Sequence, residues 1–316
     1  MFMPPPVLRA EVFATLPQAL RKQCASPPWM QVQQRARLGH SFIEGPVFDG
    51  DGRLYFTDIP YGRIFALGAD RIIEQVFAYD GEPNGMKWLD GERFLIADHK
   101  HGILLLDLAS QSVAPYCDRP RLERFKGVND LYLAGDGTLY FTDQGQSGLQ
   151  DPTGRVYRRE PDGSLHCLIA NVPSPNGVVL EPGGGALLVA ATRANQVWRL
   201  PLLLDGDVSK VGAFINLSGG VGPDGLAIGP DGCIAVCHPG LATVWIFSPH
   251  GEPLWRVVSS EGRMTTNCAF GGPGGRTLFI TESDTGSILS ATLPEAPAVA
   301  SPSHPGASHH DRRPSP

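Results

Sequence analysis

The chain has 316 residues and a formal net charge of −6; 42% of its residues are hydrophobic and only 18% are charged. This mild acidity argues against a general nucleic-acid-binding protein, which shows a basic patch or stripe. No apolar run approaches the ~20 residues of a membrane span, and the first residues, MFMPPPVLRAEVFATL, lack the basic and apolar regions of a signal peptide. We therefore expect a cytoplasmic protein with reduced cysteines. The 38 glycines and 29 prolines favour many short strands and turns.

The first 40 residues precede the repeats of the chain and contain two predicted elements. Residues 10–22, AEVFATLPQALRK, predict a short outer helix that is interrupted near Pro17. Residues 29–40, WMQVQQRARLGH, alternate with partial polarity contrast and predict a strand. This N-terminal extension over residues 1–40 is expected to support the repeats that follow.

Six related units make up the middle of the chain, and each begins with a polar residue at the start of a short apolar strand. The opening unit, FIEGPVFDGDGRLYFTDIPYGRIFAL, predicts three strands separated by turns, and a less regular fourth strand follows. The Gly-rich turn returns as LDGE, AGDG, EPGGG, GPDG and GGPGG. The units begin 40 to 48 residues apart, at what we call the six head residues: Glu44, Asn84, Asn129, Asn176, Asp224 and Asn267.

Four short strands in each unit are typical of one blade of a β-propeller. The predicted fold class is therefore all-β, a six-bladed β-propeller over residues 41–294, closed by an N-terminal strand. The last unit is followed by a Pro/Ser/His-rich tail, residues 295–316, which is expected to be disordered. Its blade thus lacks an outer strand, and we assign residues 29–40 to that place, where they would close the ring and cover two exposed edges.

The head residues raise the question of why a carboxylate such as Glu44 opens a strand that otherwise resembles core. In a single blade, Asn or Asp in this position is explained as a turn residue. Six blades that all carry a carboxylate or carboxamide at the channel mouth are better explained by a cation such as Ca²⁺, which prefers hard oxygen donors. No thiolate or imidazole belongs to the ring, so a soft-metal site is disfavoured.

Four motifs in these units resemble the senescence-marker protein/gluconolactonase family, whose members include regucalcin, gluconolactonases and a drug-responsive lactonase. They are IEGPVF, GVNDLYLAGDGTLYFTD, SPNGVVLEP and GPDGLAIGPDG. The resemblance implies a six-bladed propeller with one divalent cation, Ca²⁺ first and Zn²⁺, Mn²⁺ or Mg²⁺ as alternatives, acting on a small lactone. It implies Glu44, Asn176 and Asp224 as metal ligands and Asn129 as a ligand or substrate contact. Asp130 and Asn84 are carried over as neighbouring candidates.

The turns after the second strands are expected to surround the substrate at the same mouth. They supply candidate substrate-binding residues: Tyr61, His99, His101, Gln144, Arg193 and His238. The complete substrate-binding prediction adds Asn84, Asp130 and Asn267. Arg193 could hold a substrate carboxylate through two parallel hydrogen bonds.

The predicted reaction is hydrolysis of a lactone ring, in which a cation polarises the carbonyl group and water attacks it. Asp224 is the candidate base and metal ligand, with Asn129 as its catalytic partner. No G-x-S-x-G motif argues for a serine nucleophile. Two alternatives stay open: a non-catalytic propeller that binds a protein partner, and a phosphotriesterase-like hydrolase. The sequence does not indicate the oligomeric state.

Overall fold

The computed structural model describes residues 3–22, 27–33 and 40–295, and almost all of its regular structure is β. Three short elements come before the repeats. They are strand β1 (Val7–Arg9), strand β2 (Glu11–Thr15) and helix α1 (Pro28–Val32). Four single 3₁₀ turns also occur, at Gln18–Leu20, Ile59–Tyr61, Thr192–Ala194 and Pro273–Gly275.

Each of the first three blades is a four-stranded antiparallel sheet in chain order. Blade 1 contains β3 (Ile43–Phe48), β4 (Leu54–Asp58), β5 (Arg63–Leu67) and β6 (Ile73–Ala78). Blade 2 contains β7 (Pro83–Asp90), β8 (Arg93–Asp98), β9 (Gly102–Asp107) and β10 (Ser112–Cys117). Blade 3 contains β11 (Val128–Leu133), β12 (Leu139–Asp143), β13 (Gly154–Arg159) and β14 (Leu165–Val172).

The last three blades keep this order, and two of them also receive an N-terminal strand. Blade 4 contains β15 (Pro175–Leu180), β16 (Ala186–Ala191), β17 (Gln196–Pro201) and β18 (Gly212–Asn216). Blade 5 contains β19 (Leu226–Ile228), β20 (Ile234–His238), β21 (Thr243–Phe247) and β22 (Pro253–Val258). Blade 6 contains β23 (Thr265–Gly271), β24 (Thr277–Glu282) and β25 (Ser287–Thr292).

The six sheets form a closed ring, which confirms the six-bladed propeller. The first strand of every blade contacts the first strand of the next, and β23 of blade 6 contacts β3 of blade 1. Apolar clusters fill all six interfaces between blades. At the closing interface, Phe279 and Ile288 of blade 6 pack with Phe56 and Phe65 of blade 1. A blade buries its second face only against a neighbour, so the ring is the arrangement that completes the core.

The ring is closed by an N-terminal strand, but the residues assigned to it were wrong. Strand β2 pairs antiparallel with β25, with Val12 opposite Leu289, and so supplies the outer strand of blade 6. The helix predicted over residues 10–22 is therefore also wrong, because β2 lies within it. EVFAT suits a strand, since Phe13 packs edge-on against Phe279 with ring centroids 5.1 Å apart.

Part of residues 29–40, the segment predicted as the closing strand, belongs to a helix. Residues 28–32 form helix α1, which Pro28 begins at a position where a missing N–H carries no penalty. Trp29 and Met30 are buried by this helix. Residues 34–39, the remainder of that segment, lie outside the described residues, as does the predicted tail from residue 296. The boundaries at residues 40 and 294 stay a prediction.

The N-terminus contributes one strand that was not anticipated. Strand β1 pairs parallel with β22, with Leu8 opposite Val257, and gives blade 5 a fifth strand. Strands β1 and β2 thus bind the outer edges of two adjacent blades. Within the described part of the chain, no helix is long and apolar enough to cross a membrane. The cytoplasmic location stays a prediction.

Candidate metal centre and substrate cavity

The head residues lie at local irregularities of the first strands. In five blades the pairing of the first strand with the second shifts register at the head, and in blade 5 Asp224 precedes the short strand β19. The shifts fall between Glu44 and Val47, Pro83 and Met86, Val128 and Leu131, Pro175 and Val178, and Thr265 and Asn267. Such bulges redirect side chains from the normal alternation of a strand. They account for polar side chains at the start of strands whose next residues are core.

A threonine at the end of the second strand fixes the head of the neighbouring blade. The Thr57 hydroxyl donates a hydrogen bond to the backbone carbonyl of Asn84, and the Thr142 hydroxyl donates one to that of Asn176, both at 2.8 Å. Each threonine comes from the repeated sequence LYFTD. These bonds link consecutive blades at the level of the head residues, so the ring holds the heads in register.

The aspartate of the same LYFTD motif acts within its own blade. The Asp58 carboxylate accepts a hydrogen bond from the N–H of Phe42 at 2.9 Å, and the Asp143 carboxylate accepts one from the N–H of Gly127 at 2.8 Å. In both blades the donor lies two residues before the head residue. The end of the second strand therefore also anchors the backbone that leads into the head.

Glycine after a head residue allows the first strands to approach one another. Gly45 has φ of 53°, and a Cβ built on it would lie 2.2 Å from the carbonyl oxygen of Asn84. A Cβ on Gly177 would lie 2.5 Å from the carbonyl oxygen of Asp224. Both distances exclude a side chain. The EG and NG pairs in the sequence thus reflect close contact between blades around the axis.

Five of the six head residues line a single cavity at the mouth of the channel. They are Glu44, Asn84, Asn129, Asn176 and Asp224. They include all four predicted metal ligands. The sixth head residue, Asn267, is not part of this lining.

The Asn129 side chain has an orientation that leaves an oxygen available to the cavity. Its Nδ2 donates to Oε1 of Gln144 at 3.1 Å, and Nε2 of Gln144 donates to the Ser174 hydroxyl at 2.9 Å. Because Asn129 Nδ2 already has an acceptor, its Oδ1 is the atom left over. This oxygen is buried and has no hydrogen-bond partner among the described residues. A buried acceptor without a donor is costly, and a cation in the cavity would satisfy it.

Glu44 is buried, with 3% of its surface exposed. Its Oε2 accepts hydrogen bonds from the N–H of Gly45 and from Nδ2 of Asn267, both at 2.9 Å. Burial raises the pKa of the Glu44 carboxyl from 4.5 to about 7, although these two bonds oppose the shift. Nearby Lys87 also opposes the shift, and a cation in the cavity would stabilise the charged form further.

Asn267 supports Glu44 from behind the cavity. Its Oδ1 accepts from the N–H of Cys268 at 2.8 Å, so its amide nitrogen faces Oε2 of Glu44. The same side chain also hydrogen-bonds the buried Asp130, whose pKa is raised by burial and lowered in part by nearby Lys87. Asn267 thus presents its amide donors to two carboxylates, while its Oδ1 is engaged by the N–H of Cys268 outside the cavity lining.

The lining fits a hard divalent cation through a mixed donor set. Among the residues that the structure describes, no group of three or more His, Cys, Asp or Glu side chains is arranged to hold a metal ion. The cavity instead combines two carboxylates, Glu44 and Asp224, with the carboxamides of the other head residues. Carboxylate and amide oxygens are the ligands that Ca²⁺ takes in proteins.

Three of the predicted mouth residues reach this cavity: His99, Gln144 and Arg193. Burial lowers the pKa of the His99 imidazole more than the nearby Asp98 and Asp143 raise it, so the ring is neutral at neutral pH. A Cβ on Gly127 would lie 2.3 Å from Cε1 of His99. Glycine at position 127 therefore leaves the space that the His99 imidazole occupies.

Other predicted site residues lie elsewhere. His101 hydrogen-bonds the carbonyl of Asp80 at 2.8 Å and lines a separate surface pocket. His238 is buried, contacts the Gly219 carbonyl at 3.0 Å and accepts from Nε1 of Trp245. Tyr61 packs against the apolar cluster that contains Trp29. Asp130 and Asn267 lie behind Glu44, as described above.

The sequence reasoning missed the apolar side of the cavity. Trp29, Phe42, Ile59 and Met264 line it and belong to one apolar cluster. Trp29 comes from α1 and lies against Phe42 with ring centroids 5.1 Å apart. Trp29 follows two prolines, which is a possible sequence signal for a packed turn. The sequence pattern does not predict that this turn lies at the mouth of the channel. The cavity thus has an apolar wall opposite the polar residues of blades 3 and 4.

Comparison with known proteins gives consistent similarities. The sequence family described as "SMP-30/Gluconolactonase/LRE-like region" matches residues 42–284. A gluconolactonase of Zymomonas mobilis subsp. mobilis is 31% identical over 272 residues, 76% of each chain. Lactonase drp35 of Staphylococcus aureus (strain USA300) is 28% identical over 260 residues, 75% of each chain. The crystal structure of a calcium-binding protein, regucalcin, from Agrobacterium tumefaciens str. C58 has a similar fold, with a TM-score of 0.72 and 21% identity over 90% of this chain and 94% of that one.

Proposed function

Because this chain belongs to the SMP-30/gluconolactonase/LRE-like family, we propose that it is a lactonase that opens the ring of a small lactone with the help of one bound divalent cation. The observation that carries this proposal is the meeting of five head residues in one cavity. One of them, Asn129, has a buried Oδ1 with no hydrogen-bond partner among the described residues. Relatives named gluconolactonase and lactonase support the reaction class.

The proposed ligands are Glu44, Asn129, Asn176 and Asp224. Two carboxylates give this set two negative charges, which a divalent cation balances. Hard oxygen donors favour Ca²⁺, with Mg²⁺, Mn²⁺ or Zn²⁺ as alternatives. When bound, the cation supplies Lewis acidity to the lactone carbonyl and to the charge that develops on its oxygen.

The proposed reaction converts a lactone and one water molecule into a hydroxy acid. A carboxylate at the cavity, for which Asp224 is the candidate, takes a proton from the water as its oxygen bonds to the carbonyl carbon. The bond between that carbon and the ring oxygen then breaks, and the ring oxygen takes up a proton to become a hydroxyl group. The neutral His99 imidazole can hydrogen-bond a substrate hydroxyl, and the apolar wall with Trp29 excludes water from one side of the ring.

Lactone hydrolysis is tested by following the fall in pH with sugar, aliphatic and aromatic lactones, with and without a chelator. We expect turnover of at least one class, lost in chelator and restored by Ca²⁺. A folded, Ca²⁺-loaded protein that hydrolyses no lactone would contradict the proposal and favour the partner-binding propeller. Hydrolysis of a phosphotriester and not of lactones would favour the phosphotriesterase-like alternative. Activity that persists in chelator would remove the cation from the mechanism.

Asp224→Asn tests the role of the candidate base. The substitution keeps an oxygen but loses a charge, so we expect a fall in kcat/KM larger than the ~10²–10⁴-fold typical of a lost general base alone. Repeating the assay at increasing Ca²⁺ concentrations separates the two roles. If high Ca²⁺ restores most of the rate, Asp224 acts mainly as a metal ligand. If the variant stays inactive when saturated with Ca²⁺, Asp224 acts as the base. Wild-type activity without added metal would refute both.

A further inference from the structure

A second groove, lined mostly by polar residues, adjoins the metal cavity. The two share Gln33, Gln144, Ser174 and Arg193 in their linings. The groove continues along the loop that follows β12, residues 144–150. A molecule bound at the head residues could therefore extend into this groove without leaving the surface.

The floor of the groove is held by a compact hydrogen-bond network. The Ser147 hydroxyl donates to the carbonyl of Gln144 at 2.6 Å and accepts from the N–H of Ser174 at 3.1 Å. Ser174 has φ of 60°, a left-handed conformation that is rare for residues other than glycine. Its hydroxyl accepts from Gln144 Nε2 at 2.9 Å, which leaves the hydroxyl hydrogen able to donate to a ligand. Backbone strain of this kind persists where the surroundings enforce it, often at binding sites.

The groove is lined in part by polar side chains that have no partner among the described residues. Across the described parts of the chain, the side chains of Gln146, Gln150 and Arg193 have no hydrogen bond or ion pair. Amide groups both donate and accept, as sugar hydroxyls do. Among the described residues, the lining includes one guanidinium, from Arg193, and no carboxylate. This part of the lining therefore carries one formal positive charge, in contrast to the carboxylates of the metal cavity.

We propose, on the premise of the lactonase function, that this groove is a second substrate subsite that binds a hydroxylated extension ending in a carboxylate. The substrate class is then the lactone of a sugar diacid, with its ring at the head residues and its free carboxylate on Arg193. The planar guanidinium matches a carboxylate through two parallel hydrogen bonds. The Ser174 hydroxyl, which lines both the cavity and the groove, can donate to the one hydroxyl group between the ring and the carboxylate. A neutral sugar lactone leaves the Arg193 contact unused.

The test compares the 1,4-lactones of D-glucaric acid and D-gluconic acid, which differ by a carboxylate in place of a hydroxymethyl group. The full chain is assayed with saturating Ca²⁺, and the ratio of the two kcat/KM values is the readout. Arg193 is exposed, and an exposed charged pair contributes about 0.2–1 kcal/mol, so we expect the wild type to prefer the charged lactone by about 2–5-fold. Arg193→Met should reduce the ratio to about 1, and Arg193→Lys should retain part of it, because the charge stays while the fork is lost.

The matched control is Arg93→Met, which removes an equal charge at the other end of the strands, where β7 turns into β8. It should leave both kcat/KM values unchanged. A wild-type ratio near 1, or a ratio that survives Arg193→Met, overturns the subsite while the lactonase function stands. Failure of the folded, Ca²⁺-loaded wild type to hydrolyse either lactone in this pair or any in the wider panel overturns both.

Discussion

Asn129 of blade 3 and Asn267 of blade 6 occupy equivalent places in the ring and have opposite orientations. Asn129, which lines the cavity, gives its amide hydrogen to Gln144, and its Oδ1 has no partner among the described residues. Asn267 uses Oδ1 on its own backbone, at the N–H of Cys268, and gives its amide hydrogen to Glu44. The same residue type at the same blade position is thus a metal-ligand candidate in one case and a support for a ligand in the other.

The difference shows that a hydrogen-bond partner, rather than blade position, decides which atom of a carboxamide is free. Gln144 follows the second strand of blade 3 and sets the orientation of Asn129. In blade 6 the next residue of the chain sets that of Asn267. A central cation therefore need not contact all six head residues. A head residue that does not bind the cation can still orient a ligand by a hydrogen bond.

Glu44→Gln should have the largest effect, because it removes the charge of the carboxylate that Asn267 hydrogen-bonds. We expect Ca²⁺ affinity to fall by more than about 100-fold, since loss of a group one step further from a metal already costs 10–100-fold. In metal-free protein at pH 8, the same substitution should raise Tm, because a buried charge is removed and the glutamine oxygen can still accept from Gly45 and Asn267. Thermal unfolding with and without Ca²⁺ measures both effects. Equal stabilisation of the two proteins by Ca²⁺ would contradict the ligand role of Glu44.

The matched substitutions Asn129→Asp and Asn267→Asp should have different effects. Asn129→Asp adds a charged oxygen at the cavity, so Ca²⁺ should bind about tenfold more tightly or better. Asn267→Asp places a third carboxylate beside Glu44 and Asp130, and we expect the metal-free protein to lose about 3 kcal/mol or more of unfolding free energy. Calcium titration and denaturant unfolding test the pair. The comparison fails if Asn267→Asp is the variant that binds Ca²⁺ more tightly.

Gln144→Leu tests whether the orientation of Asn129 matters. It removes the acceptor that holds Asn129 Nδ2, and we expect a loss of Ca²⁺ affinity of about 10–100-fold. Gln144→Glu is the control, because it keeps an acceptor for Asn129 and can accept from the Ser174 hydroxyl. Near-normal Ca²⁺ binding by the glutamate variant, together with weak binding by the leucine variant, would support the role of the Gln144 hydrogen bond in orienting Asn129. Equal loss in both would assign the effect to packing.

The affinity for Ca²⁺ should also depend on pH. Burial places the pKa of Glu44 at about 7, so affinity should fall about tenfold for each pH unit below 7 and level off above 8. Calorimetry in two buffers of different ionisation heat should find about one proton released per Ca²⁺ at pH 6. Binding that is independent of pH between 5.5 and 8 would show that Glu44 is already charged without metal.

The same shift affects stability without metal. The folded-state pKa of Glu44, about 7, lies above its ordinary value of 4.5, so the folded protein holds more protons between those values. The unfolding free energy of metal-free protein should therefore fall as pH rises from 4.5 to 7 and then stay level. Glu44→Gln should remove this contribution to the slope.

The fold was predictable because a blade repeats the same pattern of turn and strand six times. One Asn-Gly pair predicts only a turn, but six polar heads at similar spacing predict a ring, and the structure places five of them at one cavity. The closing strand was not predictable in the same way. EVFAT and WMQVQQ each occur once, and the choice between them depends on distant partners such as Phe279 and Leu289.

The details of the site were harder to predict for similar reasons. His101 lies in the expected turn and His238 is the last residue of β20, but each hydrogen-bonds a backbone carbonyl outside the cavity lining, that of Asp80 and that of Gly219. Trp29 enters the cavity wall from a helix outside the repeats. Which amide atom faces the channel depends on contacts between residues far apart in sequence, such as Asn267 and Glu44. Period and residue type carry no information on these contacts.

The most direct test of this account is a crystal structure of the full chain grown with Ca²⁺, with the cation located by its anomalous scattering. We predict one cation in the cavity, with oxygens of Glu44, Asn129, Asn176 and Asp224 at about 2.3–2.6 Å, while Asn267 Nδ2 still donates to Glu44. A cavity without a cation at saturating Ca²⁺, or a cation bound through Asn267 and not through Asn129, would contradict the account.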